Sequence, residues 1–318
     1  MRAAAAPQRV KGQVLLARPS GFCAGVERAI AAVRNALAEH GPPVYVRGQI
    51  VHSPQVLAEL EAEGARFVAA TDDVPEGAVC IFSAHGVSPE VRAEARRRGL
   101  RVIDATCPLV AKVHAEVRRY AAAGRVIVLV GHRGHEEIEG TRGEAPDRTY
   151  VVASVEEIEA LPVPRDTPVA YAVQTTLALD EAASLIAAVE DRFDDVVGPG
   201  PADVCYASQN RQAAVKAIAR EAEVVLVAGA RNSSNSNRLV EVARAAGARA
   251  HLVPAVAELR PQWLERASVV GLSAGASAPP VLLDGIVARL AELGYPSISV
   301  RELTTERVRF ATPRMVAA

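Results

Sequence analysis

The sequence predicts an α/β protein: three pseudo-equivalent small α/β domains, with mainly parallel sheets, around one central site. Three observations carry that expectation. Runs rich in Val and Ile alternate with amphipathic stretches rich in Ala, Arg and Glu, the pattern of buried parallel strands joined by helices. A strand that ends in Cys and runs into a helix occurs three times, at Cys23, Cys107 and Cys205. The elements after each Cys then follow in the same order.

The three strand–Cys–helix passages are "LLARPSGFCAGVERAI", "RVIDATCPLVAKVHAEV" and "ADVCYASQNRQAAVKAI", with their cysteines 84 and 98 residues apart. Each is followed by a second strand with polar residues at its turn: "YVRGQIVHSPQV", "VLVGHRGHEEIEG" and "VLVAGARNSSNSNRL". His52 lies 29 residues after Cys23, His135 28 after Cys107 and Ser233 28 after Cys205. A short strand and a weak helix come next, in "ARFVAATDDVP", "TYVVASVEEIEALP" and "AHLVPAVAELRP". A fourth unit closes each set: "VCIFSAHGVSPEVRAEARRRG", "VAYAVQTTLALDEAASLIAAV" and "VVGLSAGASAPPVLLDGIVARL". Glycines such as Gly41 and Gly64 follow the helical stretches where C-caps belong. The predicted domains are therefore 12–104, 105–202 and 203–300, with a tail at 301–318.

Composition excludes several functions. Half of the 318 residues are hydrophobic and 23% are charged, enough apolar material for two or three packed domains. A formal net charge of −1 leaves no electrostatic footprint for nucleic acid or an anionic membrane. No apolar run approaches the ~20 residues of a membrane helix. The opening "MRAAAAPQRVKGQ" lacks the apolar core of a signal peptide. A cytoplasmic protein is expected, and structural disulfides are rare there. The four cysteines form no CxxC motif, against a zinc ribbon or a thioredoxin-like pair.

Ligands of open parallel sheets sit beyond the carboxyl ends of the strands. If the three domains face a common axis, their turns deliver Cys23, Cys107 and Cys205 to one place. His52, His85, His135, Glu137, Thr175, Ser233, Asn235 and Ser277 arrive with them. Three thiolates without a fourth suggest an iron–sulfur cluster with one iron open to substrate. Zinc, which prefers four ligands, is the competing metal and would take a His as its fourth. Cys80, mid-strand in "AVCIFSAHG", reads as core. The turns "RNSSNSNRL" and "SAGASAP" suit an anion, because hydroxyls, amides and helix N-terminal N–H groups bind phosphate without much net charge. "HEEIEG" sets a carboxylate beside a histidine, as proton delivery needs, although Glu136, Glu137 and Glu139 also suit an exposed acidic first turn. His132 reads as a turn residue, and His40, His114 and His251 read as structural.

Nine motifs in one order, from "PSGFCAGVERAI" through "IVHSPQV", "FSAHGVS", "DATCPLVAKVH", "GHRGHEEIEGT", "QTTL", "CYASQNRQ" and "NSSNSNRL" to "AGASAP", cover nearly the whole chain. In these the sequence closely resembles the 4-hydroxy-3-methylbut-2-enyl diphosphate reductases of the methylerythritol phosphate isoprenoid pathway. The resemblance implies three domains around a [4Fe–4S] cluster held by Cys23, Cys107 and Cys205, with one open iron. It implies that His52, His85, His135, Thr175, Ser233, Ser234, Asn235 and Ser277 bind the diphosphate substrate. It gives Glu137 the proton, Thr175 the positioning of that proton and of the substrate hydroxyl, and His135 a place in the catalytic set. The implied reaction is reductive dehydroxylation to isopentenyl and dimethylallyl diphosphate, with electrons from reduced ferredoxin or flavodoxin. Ser53 and Glu136 stand where the family often has Asn and Pro. An open-iron hydratase and a zinc-dependent hydrolase of a phosphorylated substrate are the alternative functions.

Overall fold

The computed structural model describes residues 10–199 and 205–316. Two compact units emerge, one of residues 10–22 and 207–307, the other of 23–199, 205–206 and 308–316.

The larger unit holds two sheets. Strands β2 (Val44–Arg47), β3 (Ala65–Val68), β4 (Val79–Phe82) and β5 (Arg101–Asp104) pair in parallel in the order β3-β2-β4-β5. Helices α1 (Ala24–His40), α2 (Pro54–Glu63) and α3 (Pro89–Arg97) connect and cover them. The second sheet repeats that order as β7 (Thr149–Val152), β6 (Val126–Val130), β8 (Val169–Val173) and β9 (Val196–Val197), all parallel. Its helices are α4 (Pro108–Ala122), α5 (Glu136–Arg142), α6 (Val155–Glu159) and α7 (Leu179–Arg192). Strand β6 shows why these runs are continuously apolar. Val128 and Val130 enter one core with Val152, Val169 and Leu185, while Ile127 and Leu129 enter another with Val113, Val117 and Ile138. A parallel strand covered on both faces has no wet side to mark with polar residues.

The smaller unit contains α8 (Tyr206–Ala219), β10 (Val224–Ala228), α9 (Ser234–Ala245), β11 (Arg249–Val253), β12 (Val269–Ala274), α10 (Pro280–Glu292) and β13 (Ser297–Glu302). Its sheet runs β11-β10-β12-β1-β13, where β1 is Gln13–Arg18. Val14, Leu16, Leu226, Leu272, Ile286 and Tyr295 are among the residues of its core.

This pairing corrects one boundary. The stretch expected to open the domain 12–104 lies instead between β12 and β13, with Leu15 opposite Gly271 and Ser299. The first sheet already has four strands without it, and β1 takes the fourth place that β5 and β9 fill in the other two. Each cysteine therefore follows a strand of one sheet and precedes the first helix of the next set. The tail also joins a sheet, since β14 (Met315–Val316) runs antiparallel to β5 through Met315–Ile103 and Val316–Val102.

Candidate active site

Cys23 and Cys107 are the N-cap residues of α1 and α4, and neither side chain bonds its cap. Cys205 directly precedes α8. All three cysteines are partly accessible, and none of them is in a disulfide. A Cβ on Gly25 would lie 2.8 Å from Cys107 Sγ and 3.8 Å from Cys23 Sγ. Only glycine leaves the sulfurs that space, in the first turn of the helix that Cys23 caps. Burial pushes the Cys107 thiol up to about 12, and the charges of Cys205 and Cys23 push the same way against the N–H groups of Leu109 and Val110. Helix N-terminal N–H groups alone therefore do not make this thiolate; a bound cationic centre would supply what burial removes. Two sulfurs beside Gly25, with that of Cys205 near enough to act on Cys107 by its charge, fit an iron–sulfur group. Cys80 belongs to the core, fully buried with Val74, Phe82 and Leu100, and burial pushes its thiol up to about 12.

Three of the expected histidines come together. The rings of His52 and His85 stack at 4.2 Å, and His135 stands edge-on to both at 5.6 and 5.8 Å. The turns after β2, β4 and β6 bring them there. Burial holds His52 down at about 3 and His135 at about 4, and the like charge of His85 adds to both. His135 caps α5, its Nδ1 accepting the Glu137 N–H at 3.2 Å, which leaves Nε2 as the N–H. His132 is held by Gln174, whose Oε1 accepts its backbone N–H at 2.9 Å, as a turn residue would be.

The neighbouring glutamates part company. Glu137 is 2% exposed, and Thr175 donates to it twice, N–H to Oε1 at 2.6 Å and Oγ1 to Oε2 at 2.8 Å. Burial raises its proton affinity against those bonds. Glu136 instead meets His85 Nδ1 at 2.9 Å; burial pushes it up, but the His85 hydrogen bond and charge hold it below its ordinary range. Burial thus separates the two carboxyls in proton affinity, and Glu136 brings the histidines a counter-charge that sequence reading missed.

The expected hydroxyl and amide residues gather around α9. Ser233 caps it, accepting from Ser236 N–H at 3.3 Å and Ser236 Oγ at 3.0 Å, and its Oγ lies 3.5 Å from Ser277 Oγ. Asn235 accepts the Ala276 N–H at 2.8 Å and donates to Ser208 at 3.3 Å. Ser234 is the first residue of the helix and is partly exposed. A Cβ on Gly229 or Gly275 would come within 2.1 or 2.0 Å of Ser236 Oγ, so two glycines let this turn close.

The model of one family, described as LytB protein, matches residues 14–291. This chain belongs to the LytB family. Among LytB-like relatives, the 4-hydroxy-3-methylbut-2-enyl diphosphate reductase of Aromatoleum aromaticum is 53% identical over 302 residues, 95% of this chain and 97% of the relative. The reductase of the same name from Burkholderia pseudomallei is 50% identical over 301 residues, 95% and 96% of the two chains. A solved structure, the E-1-hydroxy-2-methyl-but-2-enyl-4-diphosphate reductase from Plasmodium falciparum, superposes with a TM-score of 0.92 at 34% identity, covering 95% of this chain and 96% of that one. The LytB family and the mainly parallel three-sheet fold agree with the sequence expectation.

Proposed function

We propose that this chain is a 4-hydroxy-3-methylbut-2-enyl diphosphate reductase, the terminal enzyme of the non-mevalonate route to isoprenoids. The substrate takes up two electrons and two protons, loses its allylic hydroxyl as water, and yields isopentenyl or dimethylallyl diphosphate. Cys23, Cys107 and Cys205 would hold a [4Fe–4S] cluster, which would supply single electrons and Lewis acidity toward the substrate hydroxyl. The observation that carries the reading is the buried Glu137 carboxyl on Thr175. Burial raises the proton affinity of this carboxyl, which suits it to deliver a proton to the departing oxygen, so that water leaves rather than hydroxide. Thr175 orients both that carboxyl and the substrate hydroxyl.

His52, His85 and His135 bind the diphosphate, as do Ser233, Ser234, Asn235 and Ser277. Support comes from the N–H and O–H donors at the start of α5 in one unit and of α9 in the other, since helix N-terminal turns favour anions. The domains are 12–104, 105–202 and 203–300, with β1 exchanged into the third. Reduced ferredoxin or flavodoxin supplies the electrons in the cytoplasm. Among the described residues no helix is long and apolar enough to cross a membrane.

The test is anaerobic purification with iron and sulfide analysis and an EPR spectrum, followed by turnover with reduced methyl viologen as sole donor. Reductant-dependent release of the two isoprenoid diphosphates is expected. Product formed without reductant would make the chain a hydratase, and a colourless, iron-free active protein would make it a hydrolase.

A further inference from the structure

Each cysteine motif continues to a cation that the reaction above leaves without a role: Arg28 five residues after Cys23, Lys112 five after Cys107, and Arg211 six after Cys205. Arg28, on α1, sends Nη1 to the carbonyl of Thr106 at 2.9 Å and Nη2 to that of Asp104 at 3.5 Å. Thr106 is the residue directly before Cys107. The Asp104 carboxylate holds the same turn from the other side, accepting Thr106 N–H at 3.0 Å and Thr106 Oγ1 at 2.5 Å, and itself pairs with Arg92. The Nε of Arg28 reaches the carbonyl of Ala311, so the tail that ends in β14 is tied into the same fork.

Arg211 repeats this arrangement in the other unit. It is 1% exposed. Its Nε and Nη2 donate to Gly21 O at 3.0 and 2.8 Å, and Nη2 also to Phe22 O at 3.0 Å. Its Nη1 takes Ala207 O at 2.8 Å and Glu306 at 3.0 Å. Phe22 is the residue directly before Cys23. Burying a guanidinium is costly unless its donors are satisfied, and peptide carbonyls satisfy most of these. Secondary structure does not account for the bonds to Thr106, Gly21 and Phe22, since these carbonyls lie where no strand or helix continues.

Resting on the cluster reading above, we infer that Arg28 and Arg211 are positioning residues, each bracketing the peptide that enters a ligand cysteine and so fixing where its sulfur is presented. The cation on the helix after one cysteine holds the turn before another: Arg28 serves Cys107, and Arg211 serves Cys23. The fork geometry does the positioning, so a lysine, which keeps the charge as a single point, should replace only part of it.

The test measures cluster loss rather than activity. Wild type, Arg28→Gln, Arg28→Lys, Arg211→Gln and Arg211→Lys are purified anaerobically and exposed to an iron chelator while visible absorption is followed. Arg125→Gln is the control, because Arg125 also clamps backbone carbonyls, of Val169 and Asp195, at a turn without a cysteine. The glutamine variants should bleach about tenfold faster than wild type, the lysine variants should fall between, and Arg125→Gln should match wild type. Circular dichroism and urea midpoints separate loss of fold from loss of position. If Arg211→Gln does not fold, the Arg28 pair decides, since that side chain is half-exposed. Bleaching at the wild-type rate in folded Arg28→Gln overturns the inference and leaves the cluster reading standing. A wild type without iron or visible absorption overturns the cluster reading itself.

Discussion

The turns after β2, β4 and β6 present imidazoles, whereas the turns after β10 and β12 present hydroxyls and an amide. His52 and His135 stand at the place in the repeat that Ser233 fills, and His85 at the place of Ser277. Both sets are assembled alike, at the ends of parallel strands, with one side chain in each, His135 and Ser233, capping the helix that follows. They differ in charge. The histidine set can gain protons and carries a carboxylate, Glu136, within it; the serine and asparagine set is neutral at every ordinary pH. One ligand class can be held by two kinds of donor, and only one of them couples binding to protons.

The largest expected effect tests whether the histidine side also holds the proton source. Glu137→Gln keeps the shape and the Thr175 contacts but removes the acid, so turnover should fall by a factor of ~10² or more while pyrophosphate binding persists. Steady-state kinetics beside calorimetric binding measures both, and full activity would remove Glu137 from the reaction.

The pH dependence sharpens the contrast. Without ligand, burial holds His52 near 3 and His135 near 4, below the ordinary 6.5. The unfolded chain then binds more protons than the folded one, so acidification from 6.5 toward 4 destabilises the empty protein, and nothing is lost above 6.5. A bound diphosphate acts in the opposite direction, favouring the imidazolium, so pyrophosphate affinity should rise as pH falls across that window. Asn235→Ala should weaken binding about tenfold at every pH and leave the slope intact. His135→Asn should flatten the slope. Equal slopes in both variants would erase the distinction between the two sets.

Smaller effects follow. Ser233→Ala removes the cap of α9 and should cost about 1 kcal/mol in urea unfolding, with no pH dependence. Glu136→Gln removes a charge that raises His52 and His135, so NMR titration of the empty protein should find both imidazoles still harder to protonate. An unchanged titration would mean that the Glu136 carboxylate does not reach them.

Much of this was legible in the residues. The repeat, the element order, the cysteine trio and the polar turns all follow from local pattern, because strand and helix periods are written in neighbouring residues. Thr175 and Asn235 stood out for the same reason, as polar residues at the ends of apolar runs. What could not be read locally was the partner of each group. Glu136 and Glu137 are adjacent and chemically identical; the motif resemblance singled out Glu137, but only the structure shows that one is buried on Thr175 and the other paired with His85. Nothing beside Arg28 in the sequence marks its partner, because its fork reaches a turn 78 residues away.

By itself, then, the sequence determined that parallel strands would end in cysteine, histidine and serine turns, since apolar runs and turn residues act over a few positions. Tertiary structure alone decided that Gln13–Arg18 would close the third sheet, more than 250 residues from its partners in β12 and β13. A covered strand carries no polar face to name its neighbour, so that choice falls to the whole packed core.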